Sequence, residues 1–494
     1  MKHPSSNPDI VLFLSDQHHG LATGYADRGG PQTPNLDRIA ANGTVCASAY
    51  TACPLCVPAR SALLTGQYTS RNGMFDNAAV LPSDQATFLH SLVEAGYETV
   101  LCGRMHFKGA DQRHGFTRRI MGDITRPYAD GVVREGVFTK VFGMGGCLDL
   151  IGTGTSPVLE YDRAVVAAAR DHLGRDHAKP QCLVVGTYGP HFPYVAPADL
   201  FERYRGRVSS PPSWNPALPD ANPIVDAKRQ RTRTDPRTGE QSPVTDEVML
   251  AARAAYFAMI TEQDRHVGTV HTAWQDYLER TGRAGVFVYA SDHGDTCGEH
   301  GVFGKQTFYE GSTRIPLVFA GEGIGRDRRI ANPVSIMDIG PTLCDLAGSR
   351  APTGLDGRSL ATALKDGCEV EPRPVIAEWV QEFGGEVIAG RMVRSGPWKL
   401  MHYRHRDIPD QLFHVEHDPD ELSDRAAENP ERVRELVQLL ESDWEPERIV
   451  RRFAEKQQHR GLIRSWTDAC NPEVPETEQW CVTPESIRSP DQVV

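Results

Sequence analysis

Gly285-Val-Phe-Val-Tyr-Ala-Ser-Asp-His-Gly-Asp295 opens as a short apolar run and closes on a group of side chains able to bind ions or move protons. An unbroken apolar run rich in Val and aromatic residues fits a strand buried on both faces, as in a parallel sheet. Four other runs read the same way: 9–15, 97–102, 182–187 and 315–320. Helical patterns lie between them. Thr33-Pro34 is an N-cap followed by Pro at the first helical position, residues 85–95 and 161–173 follow, and the longest helical stretch runs from about 246 to 281. Strands alternating with helices imply an α/β fold, a large mostly parallel sheet flanked by helices on both faces. Near residue 368 the pattern changes. Residues 369–463 read as a smaller α+β C-terminal subdomain, with short alternating runs at 387–394, 398–403 and 411–415 and a charged helix from about 428 to 455. Residues 464–494 lack periodicity and read as an extended C-terminal tail, one that could pack on a neighbouring subunit.

In open parallel sheets ligands bind beyond the carboxyl ends of the strands. The runs deliver Ser15-Asp16-Gln17-His18, Gly103-Arg104-Met105-His106, Tyr188-Gly-Pro-His191 and Ser291-Asp292-His293-Gly294-Asp295. These four ends can form one site. A lone Asp at a strand end more often caps a turn. Asp16 with Asp292 and His293 is a different matter, because two carboxylates and an imidazole suit a hard divalent cation such as Ca²⁺, Mg²⁺ or Mn²⁺.

Cys53-Pro-Leu-Cys56-Val-Pro-Ala-Arg60-Ser-Ala-Leu-Leu-Thr-Gly66 allows three readings. Cys53 and Cys56 have redox or zinc-pair spacing, but no second close pair completes a four-thiolate site. They could instead be buried structural thiols. The third reading uses the whole string: Cys56-x-Pro58-x-Arg60 followed by Leu-Leu-Thr-Gly resembles the signature of the type I sulfatases, in which the cysteine is oxidised to formylglycine. Gly103-Arg104-Met105-His106, Pro190-His191-Phe-Pro, Asp292-His293-Gly294-Asp295, Gly298-Glu-His300 and Gly304-Lys305 are similar to further segments of that family, in the same order. So are Thr313-Arg-Ile-Pro-Leu317, Ser335-Ile-Met-Asp338 and Gly354-Leu-Asp-Gly357. The Asp16-Gln17 start and the Arg104-Met-His106-Phe string look like the choline sulfatase and phosphonate monoester hydrolase branch.

The resemblance implies an alkaline-phosphatase-like fold with residues 1–368 as the catalytic domain. It implies a formylglycine at position 56, made by a formylglycine-generating enzyme, and one divalent cation, Ca²⁺ foremost, held by Asp16, Asp292, His293 and position 56. Cys56, Arg60, His106, His191 and Lys305 are its catalytic set. Arg60 would hold the formylglycine, His106 would help deprotonate its second hydroxyl, and His191 or Lys305 would protonate the leaving alcohol. Arg104, Lys305, Asn77 and His191 would bind sulfate. Two departures stand out. Gln17 replaces a usual acid, leaving it a metal or substrate ligand without charge, and Arg104 replaces a usual lysine with a planar fork of donors.

The expected activity is hydrolysis of a small organic or carbohydrate sulfate. A phosphonate monoester or phosphodiester hydrolase is the rival on the same scaffold, and a non-catalytic anion binder is the rival if Cys56 stays a thiol. For a choline-like group, Tyr128, Phe138, Phe142, Trp379 and Glu382 are candidate enclosures; for a sugar, Arg126, Arg134, His402 and Arg404. The 494 residues carry 53 Lys+Arg against 65 Asp+Glu, a formal charge of −12, which argues against a nucleic-acid partner. No apolar run is long enough to span a membrane. Eleven irregularly spaced cysteines in a chain of this size read as mostly reduced thiols, and a cytoplasmic homo-oligomer is expected.

Overall fold

Strand Asp9–Asp16 is buried along its whole length at the middle of an eight-stranded sheet. Its alternation sorts side chains between two cores. Ile10, Leu12 and Leu14 face one, with Leu63, Leu64, Phe88 and Leu343; Val11 and Phe13 face the other, with Leu36, Val165, Val267 and Trp274. Helices Cys56–Thr65, Phe88–Glu94 and Ile339–Leu346 therefore cover one face, and Pro34–Ala41, Pro157–Leu173 and Asp246–Thr281 the other. A fully buried Leu or Phe contributes about 1.5–3 kcal/mol relative to an exposed one, so this two-sided burial is the main force holding the sheet. The computed structural model describes residues 7–128, 146–215, 222–235, 238–405, 407–473, 478, 480 and 491–492.

The strand order is Arg328–Ile330, Gly43–Cys46, Leu317–Gly321, Gly285–Ser291, Asp9–Asp16, Gln181–Pro190, Glu98–Gly103 and Arg118–Met121. All neighbours run parallel except Leu317–Gly321, which is antiparallel to both of its own. The run at 315–320, expected as a parallel strand, is thus reversed. It is also interrupted: Arg314–Ile315 pairs in a separate small sheet and the main strand starts after Pro316, whose nitrogen cannot donate to a ladder. The Asp246–Thr281 helix matches its expected span. The Thr245 hydroxyl caps it by accepting from Val248 N–H, and Gly282 ends it in the left-handed region.

Strands Val375–Phe383, Glu386–Ser395, Trp398–Tyr403 and Gln411–His414 form an antiparallel meander. Gly384 and Gly385, both at positive φ, make the two-residue turn between the first two. One face packs on Tyr50, Phe308 and Tyr309 of the main domain; Leu436 and Leu440 of helix Pro430–Glu441 pack on Val393, Leu400 and Leu412. The single charged helix expected at 428–455 is two. The chain breaks after Glu441 and restarts at Pro446, a residue suited to the first turn, and the second helix continues to Cys470, into the stretch read as an extended tail. Among the described residues no helix is long and apolar enough to cross a membrane.

Candidate active site at the carboxyl ends of the strands

Parallel register pairs Ser15 with Ser291, so the residues that follow, Asp16 and Asp292, leave neighbouring strands side by side. Cys56 opens the buried helix Cys56–Thr65 opposite them. Oxygen, nitrogen and sulfur atoms of Asp16, Cys56, Asp292 and His293 all lie within 4.8 Å of one another. Cys56 Sγ is 2.9 Å from Lys305 Nζ, 3.2 Å from His293 Nε2, 3.7 Å from Asp16 Oδ1 and 3.9 Å from Asn77 Nδ2. Burial and Asp16 push the thiol up, Lys305 and His293 pull it down, and the net is a thiol below its ordinary value.

Two arginines brace the acids. Arg60 donates through Nε to Asp292 Oδ2 at 2.8 Å and through its terminal nitrogens to Asp16 Oδ2 and Arg104 O. Arg104 donates through Nε to Asp16 Oδ2 at 2.7 Å, contacts Asp123 Oδ1, and lies over the Tyr188 ring at 4.3 Å. Burial alone would raise Asp16, but Arg104, Lys305, His191 and Arg60 hold it well below the usual carboxylate range. Asp16 is therefore charged at neutral pH.

Hydrogen bonds set the tautomers. His293 Nδ1 bonds the Gly294 carbonyl at 3.0 Å, which turns Nε2 toward Cys56 Sγ at 3.2 Å as the atom able to accept or ligate. His191 Nδ1 bonds the Phe192 carbonyl at 2.7 Å, so Nε2 accepts from Lys305 Nζ at 2.8 Å. Burial, then Lys305, holds His191 well below the ordinary imidazole value. Arg104 donates to His106 Nδ1 at 2.7 Å, which places the ring proton of neutral His106 on Nε2. The resemblance implies a base at His106; here the ring presents a donor at Nε2, because arginine cannot accept at the other nitrogen.

The two ends of the Gln17 amide differ in their surroundings. Nε2 donates to Asp295 Oδ2 at 2.6 Å, while Oε1 is buried without a partner. An orphaned neutral oxygen beside Asp16, Asp292 and His293 fits a hard divalent cation, completing a set of two carboxylates, an amide oxygen, an imidazole and the atom at position 56. Asp295 is occupied by Gln17, Tyr194 and the backbone of Cys297 and Gly304, so it orders the loop. Gly294 packs against Gly311, where a Cβ would lie 2.0 Å from a carbonyl oxygen.

The structure thus brings together Asp16, Gln17, Cys56, Arg60, Asn77, Arg104, His106, His191, Asp292, His293 and Lys305. Asn77 also steadies the helix that Cys56 opens, because its Oδ1 accepts from Val57 N–H at 3.0 Å at the free N-terminus. The C-terminal helix reaches this loop, since Lys456 donates to Gly73 O and Arg460 pairs with Asp76. The sugar candidates His402 and Arg404 instead pair with Asp410 and Glu441, and Tyr128 meets Trp466. Phe138, Phe142 and Arg134 lie outside the described residues. Sequence reasoning missed Asp123, which accepts from His106 N–H and touches Arg104. It follows strand Arg118–Met121, too polar to read as a buried strand. It also missed Asp162, which accepts from the Tyr188 and Gly189 amides and so fixes the approach to His191.

Comparison with known proteins gives the chain's family. Residues 8–349 match the sulfatase family, and residues 298–447 match the C-terminal region of N-sulphoglucosamine sulphohydrolase. The chain is 34% identical over 448 residues to a choline-sulfatase of Rhizobium meliloti (strain 1021), covering 86% of this chain and 83% of that one. It is 30% identical to arylsulfatase K of Gallus gallus, with 89% and 82% covered. A solved phosphonate monoester hydrolase from Silicibacter pomeroyi shares the fold at a TM-score of 0.69 and 20% identity, over 88% of this chain and 96% of that one.

Proposed function

The chain belongs to the sulfatase family of sulfuric ester hydrolases, and from that premise we propose that it cleaves a small organic or carbohydrate sulfate with a formylglycine made from Cys56. One observation carries the reading: Cys56 starts a buried helix with its Sγ ringed by Lys305, His293, Asp16 and Asn77. A plain thiol does not perform sulfuryl transfer from this position. As a hydrated aldehyde, the side chain supplies one hydroxyl to attack sulfur and a second through which sulfate is later expelled. Conversion needs a formylglycine-generating enzyme as a maturation partner.

Asp16, Gln17, Asp292, His293 and position 56 would hold the divalent cation, Ca²⁺ being the best match to an oxygen-rich set. When bound, it supplies a Lewis acid beside the oxygen at position 56. The remaining work falls to the chain. Arg60 fixes Asp16 and Asp292; Lys305, Arg104 and the Asn77 amide bind sulfate. At an effective dielectric near 20, a cation about 4 Å from an anion contributes roughly 4 kcal/mol, enough for a few such groups to hold a monoanionic ester in an acidic protein. Lys305 donates the proton toward the leaving oxygen, oriented by His191, whose Nε2 accepts from it. His106 stabilises through Nε2–H. Every cysteine among the described residues is unpaired, which supports a reducing, cytoplasmic setting.

The test is an intact-mass measurement of the Cys56 peptide with activity on matched aryl esters. Conversion lowers the mass by about 18 Da. Cys56→Ala is expected to abolish hydrolysis of 4-nitrophenyl sulfate. An unconverted thiol in a fully active enzyme overturns the mechanism, and phosphonate turnover far above sulfate turnover favours the phosphonate monoester reading, which the same ring of cations would serve.

A further inference from the structure

Lys228 ends the short helix Pro223–Lys228, and its Nζ sits 4.5 Å from the centre of the Trp379 ring. The same atom donates to Gln306 Oε1 at 3.3 Å. Gln306 follows Lys305 directly and turns at φ +72, so the residue next along the chain from the lysine that touches Cys56 holds a second ammonium through its side chain. The placement is built. Ile224 and Val225 pack with Leu55, Phe308 and Trp379. Gln230 Oε1 accepts from Phe303 N–H, Arg229 Nε donates to His300 O, and Asn222 Nδ2 donates to Gln411 Oε1. The first two bonds hold the 222–230 segment to the loop that carries Lys305, and the third ties its start to strand Gln411–His414.

What Lys228 lacks is an anion. Arg60 and Arg104 are each paired with two carboxylates, and Lys399 lies between Glu310 and Glu421. Among the described residues no carboxylate pairs with Lys228, and burial lowers its ammonium to about 8. An indole face and one amide oxygen replace only part of the lost hydration. A second donor is also unspent. Gln381 lies two residues beyond Trp379, hence on the same face of the strand, and is 9% exposed with Nε2 unpartnered. An ammonium with an amide oxygen but no counter-ion, and an amide donor with no partner, are together suited to an oxyanion.

We propose that Lys228, supported by Gln381 and Trp379, forms an anion subsite next to the sulfate-binding end, so that the preferred ester carries a second oxyanion, a carboxylate or another sulfate, on its alcohol part. This rests on the sulfatase reading and narrows it. It also reverses the expectation that Trp379 encloses a quaternary ammonium: the ring face already carries a cation, and a second would be repelled.

The experiment compares monosulfated glucuronic acids with the matching monosulfated glucoses, and glucose disulfates with the latter, on formylglycine-containing wild type, Lys228→Met, Lys228→Arg and Gln381→Ala. The expected result is a wild-type preference of about tenfold or more in kcat/KM for an ester with the second anion, a size typical of a partly desolvated charge pair. The arm that is preferred identifies the anion. The ratio should collapse toward one in Lys228→Met, chiefly through KM, shrink in Gln381→Ala and persist in Lys228→Arg. A ratio unchanged in Lys228→Met, or choline sulfate outperforming every anionic sugar, overturns the proposal. Failure of the parent reading is distinct, because wild type would then not turn over 4-nitrophenyl sulfate. Calorimetric binding of glucuronate against glucose still decides the subsite in that case, equal affinities counting against it.

Discussion

The ammonium of Lys305 donates a 2.8 Å hydrogen bond to Nε2 of His191, whose other nitrogen bonds the Phe192 carbonyl. The pair therefore carries one proton in excess of neutrality, and it sits on lysine. Burial lowers the Lys305 ammonium, but Cys56 and Asp16 hold it above the ordinary lysine value. In the proposed reaction the lysine gives up its proton only when negative charge builds on the leaving oxygen, and His191 orients it.

Lys305→Met should lower kcat by about 10²–10⁴, the range for a positioned general acid. The loss should be larger for an alkyl sulfate than for 4-nitrophenyl sulfate, whose leaving group needs little help. His191→Ala should show the same leaving-group dependence at smaller size. Steady-state rates on the two esters check both, and equal losses would remove the acid role.

Arg104→Lys keeps the charge and discards the fork that reaches Asp16, Asp123 and His106 at once. A fall of about 10–100-fold in kcat/KM is expected, the size seen when a group that orients site residues is changed. Arg104→Ala leaves Asp123 without its ion-pair partner and Asp16 with Arg60 alone, and should destabilise the fold by about 3–5 kcal/mol, measured by denaturant titration.

Gln17→Leu removes the unpartnered buried oxygen without altering charge. Its affinity for the cation should fall by about 10–100-fold. Chelation should inactivate both proteins, and re-titration with Ca²⁺, Mg²⁺ or Mn²⁺ should restore the variant only at higher metal concentration. Identical titration curves would exclude Gln17 from the metal site.

The buried cluster behind the site makes a prediction in pH. Lys399 Nζ lies 2.9 Å from Glu310 Oε1 and 2.9 Å from Glu421 Oε1. Burial raises Glu421 to about 8, while Glu310, despite burial, is lowered to about 2 by Lys399 and Arg314. The stabilisation from protonated Glu421 is complete below its ordinary value near 4.5 and is lost as pH rises through about 8; that from ionised Glu310 is present above 4.5 and lost as pH falls toward 2. Glu421→Gln should flatten the decline in stability between pH 5 and 8, read from Tm. Glu310→Gln should lower stability at neutral pH by less than the roughly 3–5 kcal/mol of a stranded buried charge, because Glu421, 2.9 Å from Lys399 Nζ, loses a repelling neighbour and can ionise in its place.

The central strands and the long helix were legible because burial on both faces, or a helical period with a cap and a terminal glycine, writes itself locally. The strand-end residues were legible because Asp16, His191 and Asp292 each follow an apolar run. Asp123 follows a polar edge strand, and Lys228 and Gln381 acquire meaning only from neighbours far away in sequence. The reversed strand at 317–321 was hidden for a related reason: an apolar run has the same composition in either direction.

Because the 15↔291 register sets the spacing of the two acids, the chemistry inherits its tolerances from the most cooperative part of the molecule. Heat should then switch activity off in step with collapse of the central core, with no warm, folded but inactive form in between. By the same logic a one-residue deletion in either strand would be far more harmful than one in the glycine turn at 384–385.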